Sequence, residues 1–108
     1  MIAVDTTALL AIVLNKPPAE ACMATLEAVD SLLISAGTVA EALIVSARRN
    51  VGAEVTSLID GPGFEVVTVT PASARRIARA YKRWGKGMSP AALNFGDCFA
   101  CEVAKEHA

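Results

Sequence analysis

The sequence predicts one α/β domain over residues 1–108, a short parallel sheet flanked by helices. Three observations carry that prediction. Short apolar runs alternate with longer segments of helical spacing, as in a parallel sheet covered on both faces. The chain has 108 residues, 54% hydrophobic and 19% charged, enough for one core and too apolar for disorder. The longest unbroken apolar run, Ala8–Leu14, is far too short to span a bilayer, so no membrane segment is expected.

The elements follow in order. Ile2-Ala3-Val4 reads as a buried strand ended by Asp5-Thr6-Thr7, with a helix from near Thr7 to Asn15-Lys16. Pro17-Pro18 breaks the chain, and Pro18 suits the first turn of a second helix. Ala19, Cys22, Met23 and Leu26 keep helical spacing through Val29. Ser31–Ser35 is a second strand, followed by a helix over Thr38–Asn50. A shorter helix runs from Gly52 to about Asp60, and Gly61-Pro62-Gly63 is a turn. Phe64–Val69 is the clearest strand, rich in β-branched residues. Thr70-Pro71 is an N-cap and N1 pair for a helix with Ala74, Ile77, Ala78 and Tyr81 as its apolar face. Gly85–Pro90 is a loop. Asn94 to about Lys105 is a last helix, apolar nearly all round and so expected to be buried.

The net charge of −1 hides an asymmetry. Residues 1–65 carry eight acids and three bases, whereas residues 66–108 carry three acids and seven bases. An acidic half can hold a metal while a basic half holds phosphate. The first Lys is Lys16, so no signal peptide is visible and a cytoplasmic location is expected. Three Cys make no disulfide framework.

Asp5 ends the first strand, Glu41 lies in the first turn after the second, and Asp97 lies in the first turn of the last helix. In a parallel sheet those helix starts gather at the carboxyl ends of the strands, where ligands bind. Converging carboxylates would suit a hard divalent cation. Each acid also has a plain structural reading. Thr38–Glu41 matches a capping box, Asn94–Asp97 is close to one, and Asp5 can cap its own helix.

Three motifs carry a family resemblance across the whole chain. Met1-Ile2-Ala3-Val4-Asp5-Thr6-Thr7-Ala8-Leu9, Ser35-Ala36-Gly37-Thr38-Val39-Ala40-Glu41-Ala42 and Ala91-Ala92-Leu93-Asn94-Phe95-Gly96-Asp97-Cys98-Phe99-Ala100 resemble the acidic motifs of PIN-domain ribonuclease toxins of the VapC type, the third most specifically. The resemblance implies a three-layer PIN-like fold and a Mg²⁺- or Mn²⁺-dependent endoribonuclease. It implies RNA as substrate, neutralisation by a VapB-type antitoxin, and a homodimer. Asp5, Glu41 and Asp97 would be catalytic metal ligands, with Thr6 and Asn94 as supporting polar groups. The family pattern continues into a further strand and a fourth acidic position, and this sequence ends before either. The expectation is a sheet lacking the usual last strand, with an open edge at the first strand. The alternative is a shortened, weak or inactive PIN-like module that dimerises or binds antitoxin.

Arg75, Arg76, Arg79, Lys82, Arg83 and Lys86 lie on the non-apolar face of the helix from Pro71. They can neutralise RNA phosphates or simply form a solvated face. Trp84 can stack on a base or close a core edge. Cys98-Phe99-Ala100-Cys101 follows a loop inside an apolar helix, which favours core packing over redox chemistry. The Trp84–Ser89 segment fails as a phosphate loop, since Ala80 stands where a Gly is required and no strand precedes it.

Overall fold

A computed structural model describes residues 2–61, 63–87, 90 and 93–107. Pro62 of the expected turn, Met88 and Ser89 of the expected loop, and Ala91-Ala92 of the third motif lie outside the described residues. In order, the elements are β1 (Ile2–Ala3), α1 (Thr6–Val13), α2 (Ala19–Glu27), β2 (Leu32–Ser35), α3 (Ala36–Arg48), α4 (Gly52–Ile59), β3 (Phe64–Val67), α5 (Pro71–Trp84) and α6 (Phe95–His107).

The strands form one parallel sheet in the order β1-β2-β3, with Ile2 opposite Leu32 and Leu32 opposite Phe64. Side chains of β2 alternate between the two faces. Leu32 and Ile34 join a core with Leu9 and Leu10 of α1, Ala42 of α3, and Val55 and Ile59 of α4. Leu33 belongs to the opposite face, where α6 lies over β1 and β2 and α5 packs on α6. Helices therefore cover both faces, as the alternation predicts. Within the described residues β1 pairs only with β2.

The structure corrects several local expectations. β3 stops at Val67, two residues short of Val69, because β2 runs out of partners at Ser35. Ser35 is also the N-cap of α3, its Oγ accepting from the Gly37 amide at 3.1 Å. The helix thus starts at Ala36, no capping box forms at Thr38–Glu41, and Glu41 falls in the second turn. Thr38 is instead 1% exposed, with its hydroxyl unpartnered among the described residues.

The cap of α5 matches its expectation, since Thr70 and Ser73 form a reciprocal capping box ahead of Pro71. Its buried face matches only at Ile77. Ser73 and Ile77 are buried, whereas Ala74, Ala78 and Tyr81 face solvent. Nor is α6 buried all round. Only Cys98, Glu102 and Val103 are buried, and Phe95 is 64% exposed. The sheet, α5 and the start of α3 each cover part of α6, and its remaining side meets water.

Candidate active site

β1 and β2 are adjacent and parallel, so α1 and α3 start side by side at the carboxyl edge of the sheet. Asp5 leaves β1 with extended backbone and caps α1, its Oδ1 accepting from the Ala8 amide at 2.9 Å. The next residue, Thr6, is buried, and its Oγ1 donates to Glu41 Oε1 at 2.6 Å. That bond ties the start of α1 to the second turn of α3.

The third motif arrives against the same carboxylate. A Cβ on Gly96 would fall on the Glu41 carboxylate, and a Cβ on Gly37 would fall on the ring of Phe99. Two glycines, one from each helix, thus let α3 and α6 approach closely. Position 37 meets 99 and position 41 meets 96, so the two helices cross antiparallel. Ahead of α6, the Asn94 amide donates to Asp97 Oδ2 and the Asp97 amide donates to Asn94 Oδ1, both at 2.9 Å. This reciprocal cap realises the near-match read in Asn94–Asp97.

Thr6, Glu41 and the backbone of Gly96 are therefore together, with Asp5 and Asp97 as their sequence neighbours. The three carboxylates are not gathered further than that. Among the described residues no group of three or more His, Cys, Asp or Glu side chains is placed to hold a metal ion. Asp5 and Asp97 each hold a cap through one oxygen, and a carboxylate has a second oxygen to offer. The helix N-termini of α1 and α6 also favour negative charge here. An all-oxygen donor set of this kind matches Mg²⁺ or Mn²⁺ and not a thiolate-seeking ion.

The cysteines take no part in this chemistry. Cys98 is buried and Cys101 half-buried, and all three Cys are free. Burial pushes the Cys98 thiol up, with Cys101 and the Asp97 carboxylate adding in the same direction. A thiol held protonated is a poor nucleophile, as the core-packing reading requires.

The basic residues lie along α5, whose C-terminal end meets the approach to α6, the Lys86 amide donating to Leu93 O at 2.8 Å and the Leu93 amide to Trp84 O at 2.9 Å. α5 and α6 enclose a cleft of about 640 Å³ lined by Arg76, Arg79, Lys82, Arg83, Trp84, Cys101, Lys105 and two acids, Glu102 and Glu106. Arg75, Arg79, Lys82, Arg83 and Lys86 are exposed. Arg76 differs, because its Nε donates to the buried Glu102 at 2.8 Å and lies 3.5 Å from Glu106. The Arg83 guanidinium sits 4.7 Å from the Trp84 ring centroid, a cation–π contact. Sequence reasoning missed Glu102, Gly37 and Gly96. An acid in an apolar stripe and a glycine in a helix's first turn were the available signals.

Comparison with known proteins matches the PIN-domain family over residues 2–108. The chain is 35% identical to ribonuclease VapC30 of Mycobacterium tuberculosis over 105 residues, covering 94% of this chain and 80% of the relative. It is 40% identical to ribonuclease VapC36 of the same species over 106 residues, covering 94% and 76%. To ribonuclease VapC42 it is 33% identical over 106 residues, covering 94% and 81%. With the α/β architecture and the motif positions described above, this chain belongs to the PIN-domain family, among relatives named as VapC ribonucleases.

Proposed function

We propose that the chain is a metal-dependent endoribonuclease toxin. The observation that carries this reading is the position of Glu41, bonded to Thr6 beside Asp5 and pressed against Gly96 beside Asp97. Asp5, Glu41 and Asp97 would hold Mg²⁺ or Mn²⁺ through their carboxylate oxygens. When bound, such an ion lowers the pKa of water and stabilises charge at a phosphodiester. Thr6 fixes the rotamer of Glu41 by donating to Oε1. Asn94 fixes Asp97 through the reciprocal cap. Gly96 keeps the approach to Glu41 clear of side chains.

The exposed cations Arg75, Arg79, Lys82, Arg83 and Lys86, with Arg76 and Trp84, bind and orient the RNA backbone. Support comes from their spacing along α5, whose C-terminal end is bonded through Trp84 and Lys86 to Leu93, just ahead of the helix that carries Asp97. The family resemblance adds a VapB-type antitoxin as neutralising partner, a homodimer and a cytoplasmic location.

The test is cleavage of a structured-RNA pool by the purified chain, in Mn²⁺ or Mg²⁺, in EDTA, and with Asp97→Asn. Asn can still accept from the Asn94 amide, so the fold of α6 is kept. Cleavage lost in EDTA and in the variant is expected. Equal background in every lane from folded protein would overturn the reading and leave an inactive binding module. A second readout is thermal. Mn²⁺ should raise Tm in the wild type as a ligand of the native state and much less in Asp97→Asn.

A further inference from the structure

We propose that Phe95 is a platform on which a nucleobase of single-stranded RNA stacks beside the acidic centre, an inference that rests on the ribonuclease reading above. Phe95 opens α6 and at 64% is the most exposed of the large hydrophobic side chains among the described residues. The ring is nonetheless held in place. Its centroid lies 5.0 Å from that of Phe99 with the planes at 71°, and Phe99 is seated where Gly37 leaves room for it. In an edge-to-face pair at most one face of Phe95 is covered, so a face remains open.

The location gives that face a use. The next residue, Gly96, abuts the Glu41 carboxylate, and the residue after it is Asp97. At 1.5 Å of rise per residue, Phe95 and Asp97 are about 3 Å apart along the helix axis. Carboxylates repel an RNA backbone until a cation intervenes, so a contact through a base rather than a phosphate suits the start of α6. Every base has a π-face, and stacking on an aromatic ring tolerates any base. Ile44, one turn beyond Glu41 on the same stripe of α3, is also exposed, which makes a second copy of the chain the rival occupant. Interface cores are depleted in charged groups, and Phe95 is followed by the glycine that abuts Glu41 and then by Asp97.

The experiment compares wild type, Phe95→Ala and Phe95→Trp on a single-stranded RNA oligonucleotide in Mn²⁺. Phe95→Ala is expected to raise KM about 5- to 100-fold with kcat little changed, and Phe95→Trp to restore KM. Placing an abasic nucleotide at the stacked position should remove the difference between the variants. Circular dichroism melting checks that each variant is folded. An unchanged KM in Phe95→Ala, or an equal KM rise on the abasic substrate, overturns the proposal. So does a dimer-to-monomer shift in sedimentation with KM unchanged, which would assign the ring to a second copy. An active wild type with an unaffected Phe95→Ala overturns the stacking alone. A folded wild type that cleaves no RNA overturns the ribonuclease reading and the stacking with it.

Discussion

The acidic centre and the basic face of α5 are built in opposite ways. At the acidic centre, the acids and their polar neighbours are tied by short bonds to backbone or to one another, and two glycines bring helices together where no side chain would fit. On the basic face, most of the cations are exposed along one helix, and Arg76, paired with Glu102 and 3.5 Å from Glu106, fastens that helix to the next. A centre that must hold a reacting phosphodiester needs defined geometry. A surface that gathers phosphates needs only charge in roughly the right place. The contrast implies that the acidic centre should be sensitive to single atoms and the basic face to charge count, with Arg76 the exception.

The largest expected effect tests that exception. Arg76→Met strips the partner from Glu102, whose side chain is 3% exposed, while that of Arg76 is 30% exposed. A buried carboxylate left unpaired is strongly destabilising. The loss should be about 3 kcal/mol, toward the low end for buried pairs because Arg76 is partly solvated. Urea denaturation of Arg76→Met and of Arg76→Met/Glu102→Leu measures it. The double variant should recover most of the loss, which an effect due only to the Arg stem would not allow.

Next in size is the atomic sensitivity of the acidic centre. Thr6→Val keeps shape and removes the hydroxyl that donates to Glu41. Partners that orient a ligand carboxylate typically contribute on the order of 10- to 100-fold in activity or metal affinity. Cleavage should fall within that range while Tm stays nearly constant. A fall in Tm with unchanged cleavage per folded molecule would make Thr6 purely structural.

The basic face should respond in a graded way. Lys82→Ala and Arg83→Ala should each weaken RNA binding across unrelated sequences and lower the salt slope of log K by about 1. Arg48→Ala, an exposed cation on α3, should leave the slope unchanged. A sequence-dependent loss at Lys82 would mean base readout in place of charge.

Legibility in the sequence followed the range of the forces involved. Thr70-Pro71 could be read because a cap is local chemistry, settled within four residues. The start of α3 could not, because Ser35 and Thr38 are both good caps. The choice is made by sheet register, which ends β2 at Ser35 opposite Val67. The inward face of α5 was misread for a similar reason. Ala74 and Ala78 look apolar in isolation, but the partner that turns the helix is Glu102, 26 residues away from Arg76. The candidate acids were legible because acids at helix starts after strands form a local pattern. Their tie through Thr6 and the approach of Gly96 to Glu41 span 35 and 55 residues, and no spacing rule reaches that far.

The smallest expected effect lies in α3, one turn before Glu41. Thr38 was displaced from its expected cap by Ser35 and now sits in α3 at 1% exposure with a hydroxyl that has no partner among the described residues. An unsatisfied buried hydroxyl costs free energy, and Val has nearly the same shape without the polar atom. Thr38→Val should therefore raise stability by about 1 kcal/mol, read as a higher denaturation midpoint at constant m-value. Its effect on cleavage separates two accounts of that hydroxyl. If Thr38 is only a misplaced cap, cleavage is unchanged and the variant is simply more stable. If cleavage falls while stability rises, the hydroxyl is held unpaired for the active centre, and the geometric sensitivity of the acidic centre extends one turn back from Glu41 toward the start of α3.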